Sequence, residues 1–348
     1  MSSPKTVLVT GVSGFIATHV ALRFLENGWN VRGTVRSEDK GKKVAELPVF
    51  KSFGKQLSFT VVEDLVTGDF TEAVRGVDAV AHTASPFHMA GKDWHQDYEG
   101  PAVQGTKNVL EAAAKVPSIK HVVVTSSFAS IGDFNKSAFE QVGKSYTEND
   151  WNPISNEDCE KLKADDPSAA SAWYCASKKF AELAAWDIAK KASFKLSTIC
   201  PPMVFGPPIH SISSLDALNT SSGAIYMLMK SDGSSAKEVP ETQFPAFADV
   251  RDVATAHYES VARDLEGRYL ICNGTYDNQH VVDYIRKTFP ELKERLAEGK
   301  PGEYLDGKVF TLDASKSKKE LGIKYHKFDD SIKDTVMELL EIEKRVKA

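Results

Sequence analysis

Thr6-Val7-Leu8-Val9-Thr10-Gly11-Val12-Ser13-Gly14-Phe15-Ile16-Ala17 reads as a β-strand, a glycine turn and the start of a helix. The apolar run ends in Gly11, which can turn at positive φ, and Gly14 offers no side chain to keep a phosphate away from the backbone. The N–H groups and dipole of the helix N-terminus that follows favour an anion. The stretch therefore reads as a pyrophosphate site. Its Gly-x-x-Gly-x-x-Ala spacing is looser than the usual dinucleotide fingerprint, so the rest of the chain has to carry part of the reading.

Outward from there, apolar Val20, Leu22, Phe24 and Leu25 continue the helix to a stop at Gly28, and Val31 to Val35 gives a second strand. NAD sites place an acid near the end of that strand. Here Arg32 and Arg36 stand instead, with Lys40 nearby, and a planar guanidinium suits a 2′-phosphate, so NADP is favoured over NAD. Further strands are expected at Leu57 to Val62, ending near Asp64 as a candidate adenine contact, and at Asp78 to Ala84. A helix from Gln96 to Lys115 leads to a strand from His121 to Thr125 that is tipped by Ser126 and Ser127. The alternation predicts an α/β fold with a Rossmann-type doubly wound parallel sheet.

Residues 131–166 show no sustained period and read as a loop edging the site. A helix from Ala169 to Lys191 then carries Tyr174 and Lys178, four residues apart and so on one face. A lysine beside a phenol of reference pKa about 10 can bring it toward neutrality, as a general acid requires. A strand from Lys195 to Cys200 is followed by Pro201-Pro202-Met203-Val204-Phe205-Gly206-Pro207, a rigid apolar stretch suited to orienting a flat ring. Beyond it the pattern predicts a smaller mixed lobe. Its helices are expected near Leu215 to Met229, from Phe247, near Asn278 to Phe289, at Ser315 to Leu321 and at Asp329 to Val346, with a strand at Arg268 to Cys272. Residues 1–200 are taken as the NADP-binding domain and 201–348 as mainly substrate lobe, with parts of the later chain returning to the first.

The net charge of −5 argues against a nucleic-acid partner, since no broad basic face is available for phosphates. No apolar run approaches the length that spans a bilayer, and no secretory pattern precedes the first strand. The four cysteines form no Cys-x-x-Cys pair, and His82, His88 and His95 lack metal-ligand spacing. A cytoplasmic enzyme without a metal is expected, as a monomer or a homodimer.

Together these motifs resemble the extended short-chain dehydrogenases/reductases, and within them the fungal NADPH-dependent aldehyde/methylglyoxal reductases related to plant dihydroflavonol reductases. The resemblance rests on Thr10 to Ala17, Val35-Arg36, Asp64-Leu65, Thr125-Ser126-Ser127, Tyr174 to Lys178, Pro201 to Pro207, Phe247 to Val253 and Lys316 to Gly322. It implies Ser127, Tyr174 and Lys178 as the catalytic set. NADP(H) would be held by Gly11, Ser13, Gly14, Phe15, Ile16, Arg32, Arg36, Asp64, Leu65, Thr83, Ala84, Ser85, Thr125, Tyr174, Lys178, Pro201, Val204 and Ser222. Phe87, Phe128, Phe134 and Met203 would line the pocket for a small-molecule carbonyl substrate. Two other readings share the fold: a sugar-nucleotide epimerase or dehydratase, and an NADP-sensing module without chemistry.

Overall fold

The computed structural model describes residues 4–85, 91–230 and 238–347. In chain order the strands are β1 (Thr6–Val9), β2 (Asn30–Val35), β3 (Leu57–Val61), β4 (Ala79–His82), β5 (His121–Thr125), β6 (Ser145–Tyr146), β7 (Lys195–Cys200), β8 (Met203–Phe205), β9 (Ala246–Asp249), β10 (Gly267–Leu270), β11 (Gly274–Thr275) and β12 (Thr311–Leu312). Seven of them form one sheet in the order β10-β7-β5-β4-β1-β2-β3. All its pairings are parallel, and β1, β4 and β5 are almost wholly buried, as a sheet covered on both faces requires. The chain steps outward from β1 to β3 and then restarts on the other side of β1 at β4. That reversal opens a crevice at the carboxyl ends of β1 and β4, where open α/β sheets bind ligands.

One face of the sheet carries the helices Phe15–Glu26 and Val250–Ala262. They meet through Phe24, whose ring lies edge-on to Trp29 and Tyr258 at 5.4 Å each. The other face is covered by the helices Gly100–Ala114 and Ala169–Ala189, over Leu8, Val80, Val122 and Leu196. The second lobe is built on β8, β9 and β11 around Phe205, Phe247, Ile285, Ile332 and Val336. Its C-terminal helix, Phe328–Lys347, is tied to β9 by the Ser331 hydroxyl on Asp249 at 2.6 Å.

Several expectations need adjusting. The segment 131–166, read as a loop, holds β6 and a helix Asn156–Lys161, and the helix expected from Leu215 begins only at Thr220 after a short turn. The strand expected through Ala84 stops at His82, because the next backbone N–H groups turn onto the Thr10 hydroxyl. The helix expected from Gln96 begins as a wide turn, Trp94–Glu99, and becomes α-helical only from Gly100. Where a helix was expected from Phe247, β9 pairs with β8 through Asp249, and the helix starts one residue later.

Candidate active site

The glycine turn is held by its neighbours. Gly11 sits at φ +63°, its N–H donates to the Thr34 hydroxyl at 2.9 Å, and a Cβ there would come within 3.0 Å of Ala84 Cβ. The loop also presses on β2, where a Cβ added to Gly33 would lie 2.4 Å from a Val12 methyl. A side chain at either position would push the loop off the sheet. Gly14 caps the helix Phe15–Glu26 and brings no side-chain hydrogen bond to it. The first-turn N–H groups, including those of Phe15 and Ile16, are thus left without that cap beside half-buried Ser13 and exposed Gly14. A backbone concavity with an open helix end fits a pyrophosphate.

Thr10 locks this turn to the end of β4. Its hydroxyl oxygen accepts from the N–H groups of Thr83 and Ala84 at 3.1 and 3.0 Å. Its own proton must then go to His82 Nδ1, 2.9 Å away, so His82 is neutral with its hydrogen on Nε2. Burial pushes the His82 pKa down to about 3, and the Lys178 charge adds to this. The Thr83 hydroxyl closes the arrangement on the Thr10 carbonyl.

The 2′-phosphate expectation divides. Arg32, in the middle of β2, spends its guanidinium on the carbonyls of Glu72, Ala73 and Arg75 at 3.2, 3.0 and 2.6 Å. It therefore caps the short helix Thr71–Val74, and the structure does not bring it to the strand end. Arg36 is at that end, exposed, and close enough to Asp64 for its charge to help lower the Asp64 pKa, after the larger effect of the Thr67 hydrogen bonds. Ser37 caps the helix Glu38–Ala45 beside it, with Lys40 in the first turn. Asp64 Oδ1 accepts from Val66 N, Thr67 N and Thr67 Oγ1, so this oxygen closes its own loop. Leu65 packs against Gly105, and its carbonyl accepts from Asn108.

At the other end of the crevice, the helix Ala169–Ala189 brings Tyr174 and Lys178 to the tips of β4 and β5. Half-buried Ser127 caps a short turn, its oxygen accepting from Ala129 N at 3.1 Å, and it is hydrogen-bonded to Tyr174. Lys178 Nζ donates to the Ser85 hydroxyl at 3.2 Å. Burial pulls the Lys178 pKa down to about 8, against the attraction of Glu182. Tyr174 keeps part of its surface on the crevice, but desolvation of its hydroxyl pushes the phenol up to about 12, opposed by the Ser127 hydrogen bond. A lysine-depressed phenol was expected. In the chain alone burial outweighs any such effect and keeps the phenol protonated.

The remaining predicted contacts fall into place unevenly. The Thr125 hydroxyl donates to His257 Nε2 at 2.7 Å, because His257 Nδ1 already donates to the Val253 carbonyl. The Pro201 carbonyl accepts from Phe128 N at 2.9 Å, fixing the residue after Ser127. Val204 is buried on β8 and Ser222 is buried in the helix Thr220–Met229. Phe128 is 4% exposed, with Phe134, Tyr146 and Phe310 rings at 5.7, 5.5 and 5.5 Å. Phe134 remains half-buried, between Phe128 and Phe244, and Met203 is half-buried against the second lobe. Phe87 and His88 lie outside the described residues. Gly33, Thr10 and His82 shape the site although the sequence reading gave them no such role; a glycine inside a strand was the available signal for the first.

Residues 8–239 match the 3-beta hydroxysteroid dehydrogenase/isomerase family. An NADPH-dependent methylglyoxal reductase of Saccharomyces cerevisiae is 34% identical over 358 residues, covering 98% of this chain and 100% of that protein. A ketoreductase of Aspergillus niger is 36% identical, with 98% and 99% covered. Among solved structures, the yeast methylglyoxal/isovaleraldehyde reductase complexed with NADPH superposes with a TM-score of 0.87 at 34% identity, covering 98% of this chain and 99% of its own.

Proposed function

The chain belongs to the 3-beta hydroxysteroid dehydrogenase/isomerase family, and from that premise we propose how its crevice carries out the NADPH-dependent reduction of aldehydes and ketones to alcohols. The observation that carries the proposal is the meeting of Ser127 and Tyr174, with Lys178 one helical turn further on, across the crevice from an uncapped helix end.

NADPH, when bound, supplies the hydride to the carbonyl carbon. Ser13, Phe15 and Ile16 would hold the pyrophosphate on backbone N–H groups, Gly11 and Gly14 would let it approach the backbone, and Thr83, Ala84 and Ser85 would line the β4 side. Arg36, with Lys40 and the helix start at Ser37, meets the 2′-phosphate. Ser127 and Tyr174 donate hydrogen bonds to the substrate oxygen, where negative charge grows as the carbon is reduced. Tyr174 then gives up its proton to that oxygen, and burial, which raises the phenol pKa, favours the protonated form. Lys178, charged below about pH 8, steadies the phenolate left behind and contributes a donor to the nicotinamide ribose. Phe134 and Met203 offer half-buried apolar surface for the substrate chain.

The substrate class follows the activities for which the relatives are named: small aldehydes and 2-oxoaldehydes of the methylglyoxal and isovaleraldehyde type. The location proposed is the cytoplasm. The four cysteines are free and buried, and among the described residues no helix is long and apolar enough to cross a membrane. The test is NADPH oxidation against a panel of 2-oxoaldehydes, branched aldehydes and bulky ketones, repeated with NADH. Turnover strongest with the small aldehydes and NADPH is expected; turnover confined to bulky ketones would overturn the substrate assignment.

A further inference from the structure

Behind the catalytic face, one turn beyond Lys178 on the same helix, Glu182 is 1% exposed. Six side chains aim donors at its carboxylate, the weakest being the Cys200 thiol, whose Sγ lies 3.8 Å from Oε2. Arg268 Nε reaches Oε1 at 2.7 Å and its Nη2 reaches Oε2 at 3.3 Å. The hydroxyls of Ser126 and Ser130 reach Oε2 at 2.5 and 2.6 Å, Thr198 reaches Oε1 at 2.8 Å, and Trp186 Nε1 reaches Oε1 at 3.3 Å. Arg268 is equally committed. Its other donors take the carbonyls of Glu148, Asp150 and Ser130, and its guanidinium lies 3.6 Å from the Trp151 ring.

Two of these contacts bracket Ser127. Ser126 precedes it, and the single proton of the Ser130 hydroxyl lies between Glu182 Oε2 and the Ser127 carbonyl, 2.6 and 2.7 Å away. The carboxylate thus joins two separate elements, the β5 tip that carries Ser127 and the helix that carries Tyr174 and Lys178. Stability alone is a poor reason for such a pair, since a buried ion pair is often no better than an apolar core of the same shape. Its charge, however, acts on Lys178.

We propose that Glu182, with Arg268 as its counter-ion, is a positioning residue for carbonyl reduction, holding Ser127 against Tyr174 and keeping Lys178 charged. This rests on the assignment of Ser127, Tyr174 and Lys178 given above. The groups around Lys178 can be named by element. Tyr174 and Glu182 stand on its own helix, His82 and Ser85 at the end of β4, Cys200 on β7, and Arg268 on β10 behind Glu182. Burial leaves His82 neutral and pushes the Cys200 thiol up to about 12. Among the described residues, Glu182 is then the charge that acts on Lys178 at neutral pH, with Arg268 behind it as the counter-ion of Glu182. Burial works to raise the Glu182 pKa, but Arg268 and the hydroxyl donors hold it below the ordinary carboxylate range.

Removing either partner should therefore move the alkaline limb of kcat/KM for NADPH-dependent aldehyde reduction, and in opposite directions. Glu182→Gln leaves Arg268 unbalanced near Lys178 and Tyr174, favouring loss of their protons, so the limb moves to lower pH by about one unit. In Arg268→Met the carboxylate keeps the Ser126, Ser130, Thr198 and Trp186 donors, stays ionised in the alkaline range where the limb is read, and the limb moves to higher pH. At the pH where the wild type is half-active, the first variant loses roughly a further five- to tenfold and the second gains or holds. Glu182→Asp, keeping the charge, restores the limb toward wild type. Limbs unchanged in both single variants, or shifted the same way in both, would overturn the proposal. If Glu182→Gln fails to fold, Arg268→Met is read alone: a limb at higher pH supports the proposal, and an unchanged or lower one overturns it. Loss of reduction in Tyr174→Phe, measured alongside, tests the underlying assignment separately.

Discussion

The two ends of the crevice are built from different materials. At the cofactor end the chain uses backbone: a left-handed glycine, a helix start without a side-chain cap, and a threonine hydroxyl that gathers two N–H groups. At the catalytic end it uses buried charge and hydroxyls, with Lys178 drawn from one helix, Ser127 from a strand tip, and Arg268 from the edge strand of the sheet. Backbone geometry is cheap to keep and intolerant of added atoms. Buried charge tolerates shape better and is sensitive to pH and to the loss of a partner.

The contrast can be broken first at the glycine end. Gly33→Ala places a Cβ 2.4 Å from a Val12 methyl and 2.8 Å from Val12 Cβ, so the turn must shift. We expect a loss of ~1–3 kcal/mol in unfolding free energy together with weaker NADPH binding, read by denaturant unfolding and cofactor fluorescence titration. Unchanged NADPH affinity would show that the turn does not need its seat on β2.

The next effect separates the two arginines. Arg36→Ala should weaken NADPH by about tenfold or more while leaving NADH nearly unchanged, as loss of a charge-assisted phosphate contact predicts. Arg32→Ala should lower thermal stability by uncapping the Thr71–Val74 helix and leave the NADPH/NADH ratio alone. Titrating both cofactors against both variants decides this; a changed ratio in Arg32→Ala would return that residue to the site.

The smallest effect is a pH dependence away from the crevice. In the C-terminal helix, Glu343 is bonded by Arg295, Lys347 and Tyr226. Burial opposes its ionisation, but these partners lower its pKa from 4.5 to about 2. A depressed carboxylate contributes stability that is fully present above 4.5 and is lost as pH falls toward 2. Melting temperature against pH should therefore fall more steeply in that window for the wild type than for Glu343→Gln. Parallel curves would contradict the role given to these contacts.

What could be read from sequence follows the same division. Gly11, Gly14, Tyr174 and Lys178 announce themselves because glycine tolerance and helical spacing are local properties. Arg32 misled because its partners are carbonyls forty residues on, and a basic residue within a strand looks the same whichever end of the sheet it serves. Phe128 follows Ser127 directly, yet its ring packs on Tyr146 of β6 and on Phe310 just before β12. Glu182 was within reach, since 174, 178 and 182 fall on one helical face, but its importance depends on Arg268, 86 residues away.

The central claim is that Tyr174 is the proton donor of an NADPH-dependent carbonyl reductase. Its most direct test is Tyr174→Phe, followed by methylglyoxal-dependent NADPH oxidation and by NADPH binding on the same preparation. We predict that turnover falls by about 10²-fold or more while the Kd for NADPH stays within about twofold of the wild type, because one hydroxyl has been removed from an intact cofactor site. Retained turnover with intact NADPH binding would contradict the account.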